Sequence, residues 1–269
     1  MFKTRLISGI VLVLIALLTI INGGYILWGT LFLVSLIGLM ELYRVAEVQK
    51  EGFSVLALTG ALGVTAYYVL LLFHLEAYSM MCVIFILIAL LAVYVFTYPR
   101  YHADQVMAAF FGVVYVSVLL SYIFLTRNLS GGAFLVWLIF LCSWGCDTCA
   151  YCVGVLMGKH KMSPVLSPKK SVEGAVGGVV GAALLGVIYA LAVGSAFPEF
   201  DHSPVVYGII CAVGALISMV GDLAASGIKR NHKIKDYGNL IPGHGGILDR
   251  FDSVIFTAPV IYFLATVLL

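Results

Sequence analysis

Ser226-Gly-Ile-Lys-Arg-Asn-His-Lys-Ile-Lys-Asp-Tyr-Gly-Asn-Leu-Ile-Pro-Gly-His-Gly-Gly-Ile-Leu-Asp-Arg-Phe-Asp252 stands between two apolar runs, residues 204–226 and 251–269. About 20 consecutive apolar residues are what a helix needs to cross a bilayer. The stretch therefore reads as a polar connection between two membrane helices. A basic loop obeying the positive-inside rule accounts for Lys229, Arg230, Lys233 and Lys235, but not for Asp236, His244, Asp249 and the glycines set among them. Clustered cations suit polyphosphate, carboxylates suit a divalent metal, and glycines let backbone N–H groups approach phosphate oxygens.

The rest of the chain agrees with a membrane setting. Hydrophobic residues make up 62% of it and charged residues 10%, with a mean hydropathy of +1.11. A soluble domain has about 45–50% apolar and about 25% charged residues. The fold class is all-α, a polytopic transmembrane helix bundle. Its expected spans are 6–21, 24–43, 53–73, 79–98, 106–126, 132–157, 174–194, 204–226 and 251–269. The N-terminus imitates a signal peptide, but the run from Leu6 ends at Asn22-Gly23-Gly24 without a small-x-small cleavage site, so it reads as a retained first span. Cys146, Cys149 and Cys152 have the spacing of a metal motif, and read instead as small residues along one side of a helix.

Lys and Arg set the orientation. With the N-terminus inside, fourteen of the fifteen basic residues fall in cytoplasmic segments and Arg127 alone falls outside. The far loops carry Glu76, Glu199 and Asp201 instead. The loops 158–173 and 227–250 then face the cytoplasm of a bacterial plasma membrane. Residues 1–130 form a lipid-embedded scaffold and 131–269 the catalytic region. Glu41 and the Glu47–Glu51 cluster read as solvated at the interface. The net charge of +2 identifies no partner, and no nucleic acid is expected.

An ionisable residue inside a span is costly and marks function by default. Asp147 shares a helical face with Tyr151, Gly154 and Gly158, and Asp222 with Ser226, Lys229 and Lys233. Ser167-Pro168 predicts a helix start that puts Lys169 and Lys170 near a positive helix end, with Glu173 orienting a lysine or joining a metal shell. Gly174-x-x-x-Gly178 and Gly177-x-x-x-Gly181 read as close helix packing. Asp249 and Asp252, three apart, both suit a metal at a helical start. His244 is a candidate phosphate donor, with no clear orienting partner in the sequence.

These residues resemble the signature of the phosphatidate cytidylyltransferases, the CDP-diacylglycerol synthases. That signature runs Ser-x-x-Lys-Arg, Lys-Asp, Pro-Gly-His-Gly-Gly, Asp-Arg-x-Asp. It is matched at Ser226, Lys229, Arg230, Lys235, Asp236, Pro242, Gly243, His244, Gly245, Gly246, Asp249, Arg250 and Asp252. The Asp147 region and Ser167–Gly174 look like the family's second motif. The resemblance implies Mg2+ held by Asp222 and Asp249, CTP bound by the cationic loops, and phosphatidate presented from the bilayer. A homodimer is a compatible assembly, the sequence leaving oligomeric state open. A CTP-dependent lipid or polyprenol kinase is the runner-up. An ion-coupled transporter using Asp147 and Asp222 has no need of the long polar loop, and the pattern of the CDP-alcohol phosphotransferases is absent.

Overall fold

The computed structural model describes residues 2–49, 52–196 and 203–269, with side chains over the same ranges apart from 2–7, 195 and 196. Lys50, Glu51, Glu199 and Asp201, counted above, lie outside the described residues. Helices dominate because a chain in lipid must satisfy its backbone N–H and C=O groups within itself. They are α1 (Phe2–Asn22), α2 (Gly24–Val45), α3 (Val55–Leu72), α4 (Ser79–Phe96), α5 (Ala103–Arg127), α6 (Gly132–Met157), α7 (Val172–Ala196), α8 (Pro204–Asn231) and α9 (Leu248–Leu268). Among the described residues, eight of these are long and apolar enough to cross a membrane, and the expected first span lies within α1, a helix of 21 residues.

The breaks have local causes. Gly23 and Gly24 take φ of 63° and 48° between α1 and α2, values that other residues rarely adopt. Ser54 caps α3, its Oγ accepting from Ala57 N–H at 3.2 Å. Single π-helical turns, Val113–Val118 and Leu141–Gly145, interrupt α5 and α6.

The chain forms two compact units. The first comprises residues 1–124 and 234–250. Its interior carries large phenols, three of them hydrogen-bonded inside the protein. Tyr43 donates to the Ala109 carbonyl at 2.8 Å, the Ser35 and Tyr68 hydroxyls meet at 2.6 Å, and those of Tyr67 and Ser121 at 3.1 Å. Gly60 and Gly112 make room for the Tyr43 side chain.

The second unit comprises residues 125–233 and 251–269. Here α6, α7 and α8 approach closely through small residues. A Cβ on Gly177 would lie 2.5 Å from Val153, on Gly178 3.0 Å from Cys146, and on Gly181 2.6 Å from Cys149. Gly214 likewise faces Cys142, and Gly186 faces Cys211. Without a hydrophobic drive between helices in lipid, this intimacy supplies the van der Waals contact that holds them. Cys146 and Cys149 thus pack against glycines of the facing helix, while Cys152 is exposed.

Between α6 and α7 the structure corrects an expectation. Ser167-Pro168 does not start a helix. Residues Lys161–Ser163 (β1) and Ser167–Ser171 (β2) form an antiparallel hairpin, and α7 begins at Val172. Its cap is Ser171, whose Oγ accepts from Gly174 N–H at 3.2 Å. A start at Pro168 would set two lysines against the positive end of the helix dipole; the observed start sets Glu173 there instead.

Candidate functional site

In the second unit, α6, α7, α8 and the hairpin enclose an open cavity of about 470 Å³. Asp147 and Tyr151 of α6, Lys169 and Lys170 of β2, and Asp222 of α8 line it, together with Gly154 and Gly174, which pack against each other and against Ser171. Of the expected face, Asp147, Tyr151 and Gly154 line this space, whereas Gly158 follows the end of α6 at Met157 and does not. Lys170 Nζ is ion-paired with Asp222 Oδ2, each side chain about one quarter exposed. An extended backbone sends alternate side chains to opposite faces, yet the consecutive Lys169 and Lys170 both line the cavity, in a hairpin whose register is irregular.

Further along α8, Lys229 Nζ stands 3.9 Å from Asp252 Oδ2, with side-chain exposures of 11% and 13%. Asp252 also lies within electrostatic reach of Asp222 and Asp147. Three carboxylates and two lysines are therefore concentrated in one region of this unit. Asp222, Ser226 and Lys229 follow one another on α8 as expected. Lys233 does not: the helix ends at Asn231 and Lys233 has φ of 55°, so it leaves that face. Arg230 and Lys169 are exposed.

Glu173 is not among the cavity residues. Its carboxylate accepts from Lys159 N–H at 3.1 Å, from His160 N–H at 3.2 Å and contacts His160 Nδ1 at 2.6 Å. It fastens the entry of the hairpin and leaves orientation of a lysine to Asp222.

In the first unit, the loop 234–248 is folded around two carboxylates. Ile241-Pro242-Gly243-His244 is a β-turn, closed by His244 N–H donating to the Ile241 carbonyl at 2.9 Å. Pro at its second position and Gly243 with φ of 78° at its third are the type II pattern. Gly245 has φ of 88° and lies against Asp249 and Asp236. Asp249, only 6% exposed, accepts through Oδ2 from Tyr237 N–H at 2.7 Å and Gly246 N–H at 3.0 Å. Glu41, 4% exposed, accepts from Ile247 N–H at 3.0 Å and Leu248 N–H at 2.9 Å. Those are orphan amides of the α9 N-terminus. The glycines of the Pro-Gly-His-Gly-Gly turn thus have a structural reason of their own, accommodating protein carboxylates. Lys235 and Asp236 are exposed, and the buried Arg250 Nε has no hydrogen-bond partner among the described residues.

Two partners escape the sequence reading. The expectation that Glu41 is solvated is wrong: it is buried, and the rule that singles out Asp147 applies equally to a carboxylate inside the run 24–43. The second is Ser8 of α1, whose Oγ lies 2.7 Å from His244 Nδ1 and donates to the Pro242 carbonyl at 3.1 Å. No spacing signal in the sequence connects residues 236 apart.

The fold is that of a polytopic membrane helix bundle, and it carries a cavity lined by carboxylates and lysines. Residues 3–268 match the model of the cytidylyltransferase family, and the chain belongs to that family. A phosphatidate cytidylyltransferase of Staphylococcus saprophyticus is 32% identical over 267 residues, covering 96% of this chain and 97% of its own length. The phosphatidate cytidylyltransferase of Bacillus subtilis is 31% identical over 274 residues, covering 97% of each chain. That of Staphylococcus aureus is 31% identical over 265 residues, covering 96% and 97%.

Proposed function

We propose that this chain transfers CMP from CTP to phosphatidate, giving CDP-diacylglycerol and pyrophosphate for phospholipid synthesis. The single observation that carries the reading from chain to reaction is the cavity in which Lys169 and Lys170 meet Asp147 and Asp222. A phosphate oxygen of phosphatidate attacks the α-phosphorus of CTP, and the bond to the bridging oxygen of pyrophosphate breaks. The attacking group is already an anion near neutral pH, so no enzyme nucleophile is required. The protein must bring two anions together and stabilise charge on the leaving oxygens, which is the work of preorganised cations and dipoles. Lys169, Lys170, Lys229 and Arg230 are proposed to meet phosphates. His244, Ser226, Lys235, Asp236, Gly245, Gly246, Arg250 and Asp252 complete the proposed set.

Mg2+ belongs to the same proposal. The donors here are hard carboxylate oxygens, that of Asp222 in the cavity among them. That suits an ion which takes one or two carboxylates and fills its shell with water and substrate phosphate. Asp222 and Asp249 would hold it, and when bound it would neutralise phosphate charge. The cytoplasmic orientation of the site and a homodimeric assembly are proposals of the same standing.

CTP labelled separately at its α- and γ-phosphorus tests the reaction. Label from the α position is expected in the lipid and label from the γ position in pyrophosphate. Lipid carrying the γ label would instead identify a kinase.

A further inference from the structure

We propose that Glu41 is a positioning residue for the transfer reaction, holding the signature loop and the first turn of α9 in their working geometry. It sits in α2, within a segment that otherwise carries apolar packing. Its two carboxylate oxygens take different amides, Oε1 that of Ile247 and Oε2 that of Leu248. The next residue, Asp249, reaches back with Oδ2 to the amides of Tyr237 and Gly246. Two buried carboxylates thus bind four amides of a single loop, and each fixes the other through the backbone between them.

The glycines show how close the fit is. A Cβ on Gly238 would stand 2.5 Å from Glu41 Oε1, and one on Gly246 2.5 Å from both oxygens. The loop is moulded onto this carboxylate at two separate points in its sequence. Glutamate is suited to the task where glutamine is not. The carboxylate accepts with both oxygens, whereas an amide has one acceptor and would turn its NH2 toward a backbone N–H. A negative group at the N-terminus of α9 also complements the helix dipole. None of this requires Glu41 to touch a substrate. It acts through Asp249 and the loop.

The experiment compares Glu41→Gln with the parent enzyme in lipid nanodiscs, by steady-state kinetics and by hydrogen–deuterium exchange of peptides covering 234–248. Misplacing a catalytic group by about 1 Å costs on the order of 10²-fold. A fall in kcat of that order is expected, with KM for CTP changed by less than about threefold, the signature of an interaction spent in the transition state. Exchange in 234–248 is expected to accelerate, while peptides of α6 and α7 keep parental rates. Unchanged exchange with lowered kcat, or accelerated exchange with parental kcat, would each overturn the proposal. Should Glu41→Gln fail to fold, Gly238→Ala decides, since it keeps the carboxylate and displaces it. The same kcat loss at near-constant KM supports positioning; parental kcat overturns it.

Discussion

Gly245 shows how a residue can serve geometry and chemistry together. Its φ of 88° and the 2.9 Å that would separate a Cβ from Asp249 Oδ2 exclude side chains on conformational and steric grounds at once. A β-branched residue in that region is a genuine outlier, and such strain costs on the order of 1–3 kcal/mol. Gly245→Val is therefore expected to lower kcat/KM by about fivefold to a hundredfold, each 1.4 kcal/mol being tenfold, in detergent-solubilised enzyme with short-chain phosphatidate. Parental activity would mean the turn is remade without consequence. Asp222→Asn keeps shape while removing the charge that pairs with Lys170. It is expected to abolish turnover and to leave EDTA-treated enzyme unresponsive to Mg2+; full activity at ordinary Mg2+ would take Asp222 out of the metal proposal. Legibility at this scale follows distance along the chain. Asp147, Lys169, Lys170 and Asp222 announce themselves as charges in or beside apolar runs, and the structure gathers them in one cavity. Ser8 and Glu41 act on partners more than 200 residues away, a separation that no periodicity encodes.

At the scale of elements, apolar runs locate the membrane helices because composition and length decide membrane insertion. They are weaker guides to what happens between spans. The segment 158–171 is polar whether it forms a loop, a helix start or a hairpin. Pro168 and the two lysines are compatible with a cap until the charge of Glu173 is weighed against theirs. The resulting cap at Ser171 is open to measurement. Loss of a serine cap costs about 1 kcal/mol, so Ser171→Ala is expected to lower the apparent Tm in detergent by about 2–4 °C. An unchanged Tm would show that Glu173 alone holds this end. The glycine face of α7 makes a sharper case. Overpacking typically costs about 1–3 kcal/mol, and Gly181→Ala would press its methyl onto Cys149. Adding Cys149→Gly should restore much of the lost thermal stability, because the space given up by one helix is returned by the other. Additive losses would show that the two positions do not meet.

For the whole molecule the open quantity is orientation. The helices that can cross a membrane are present, but helices alone carry no sense of inside and outside. Basic residues do, since Lys and Arg in short loops are retained on the cytoplasmic side. Fourteen of fifteen fall on one side if the N-terminus is inside. The assignment depends on parity, and so on the first helix crossing along with the others. With 21 residues, Phe2–Asn22, α1 has the length to cross, and the parity rests on its doing so. The proposed function calls for the same answer, since CTP is a cytoplasmic molecule and the loops proposed to bind it carry most of the basic charge. Cysteine labelling settles the matter in sealed cells, using a background with the six native cysteines replaced and activity verified. Lys161→Cys and Asn239→Cys, both at exposed positions, are expected to resist a membrane-impermeant maleimide until the cells are opened. His74→Cys, in the exposed connection before α4, is expected to react at once. Arg127→Ala, on the same far side, should leave CTP kinetics within about twofold of the parent, a surface change away from the site moving free energies by no more than about 0.5 kcal/mol. Reaction at Asn239→Cys in intact cells would invert the bundle and place the nucleotide loop where there is no CTP to bind.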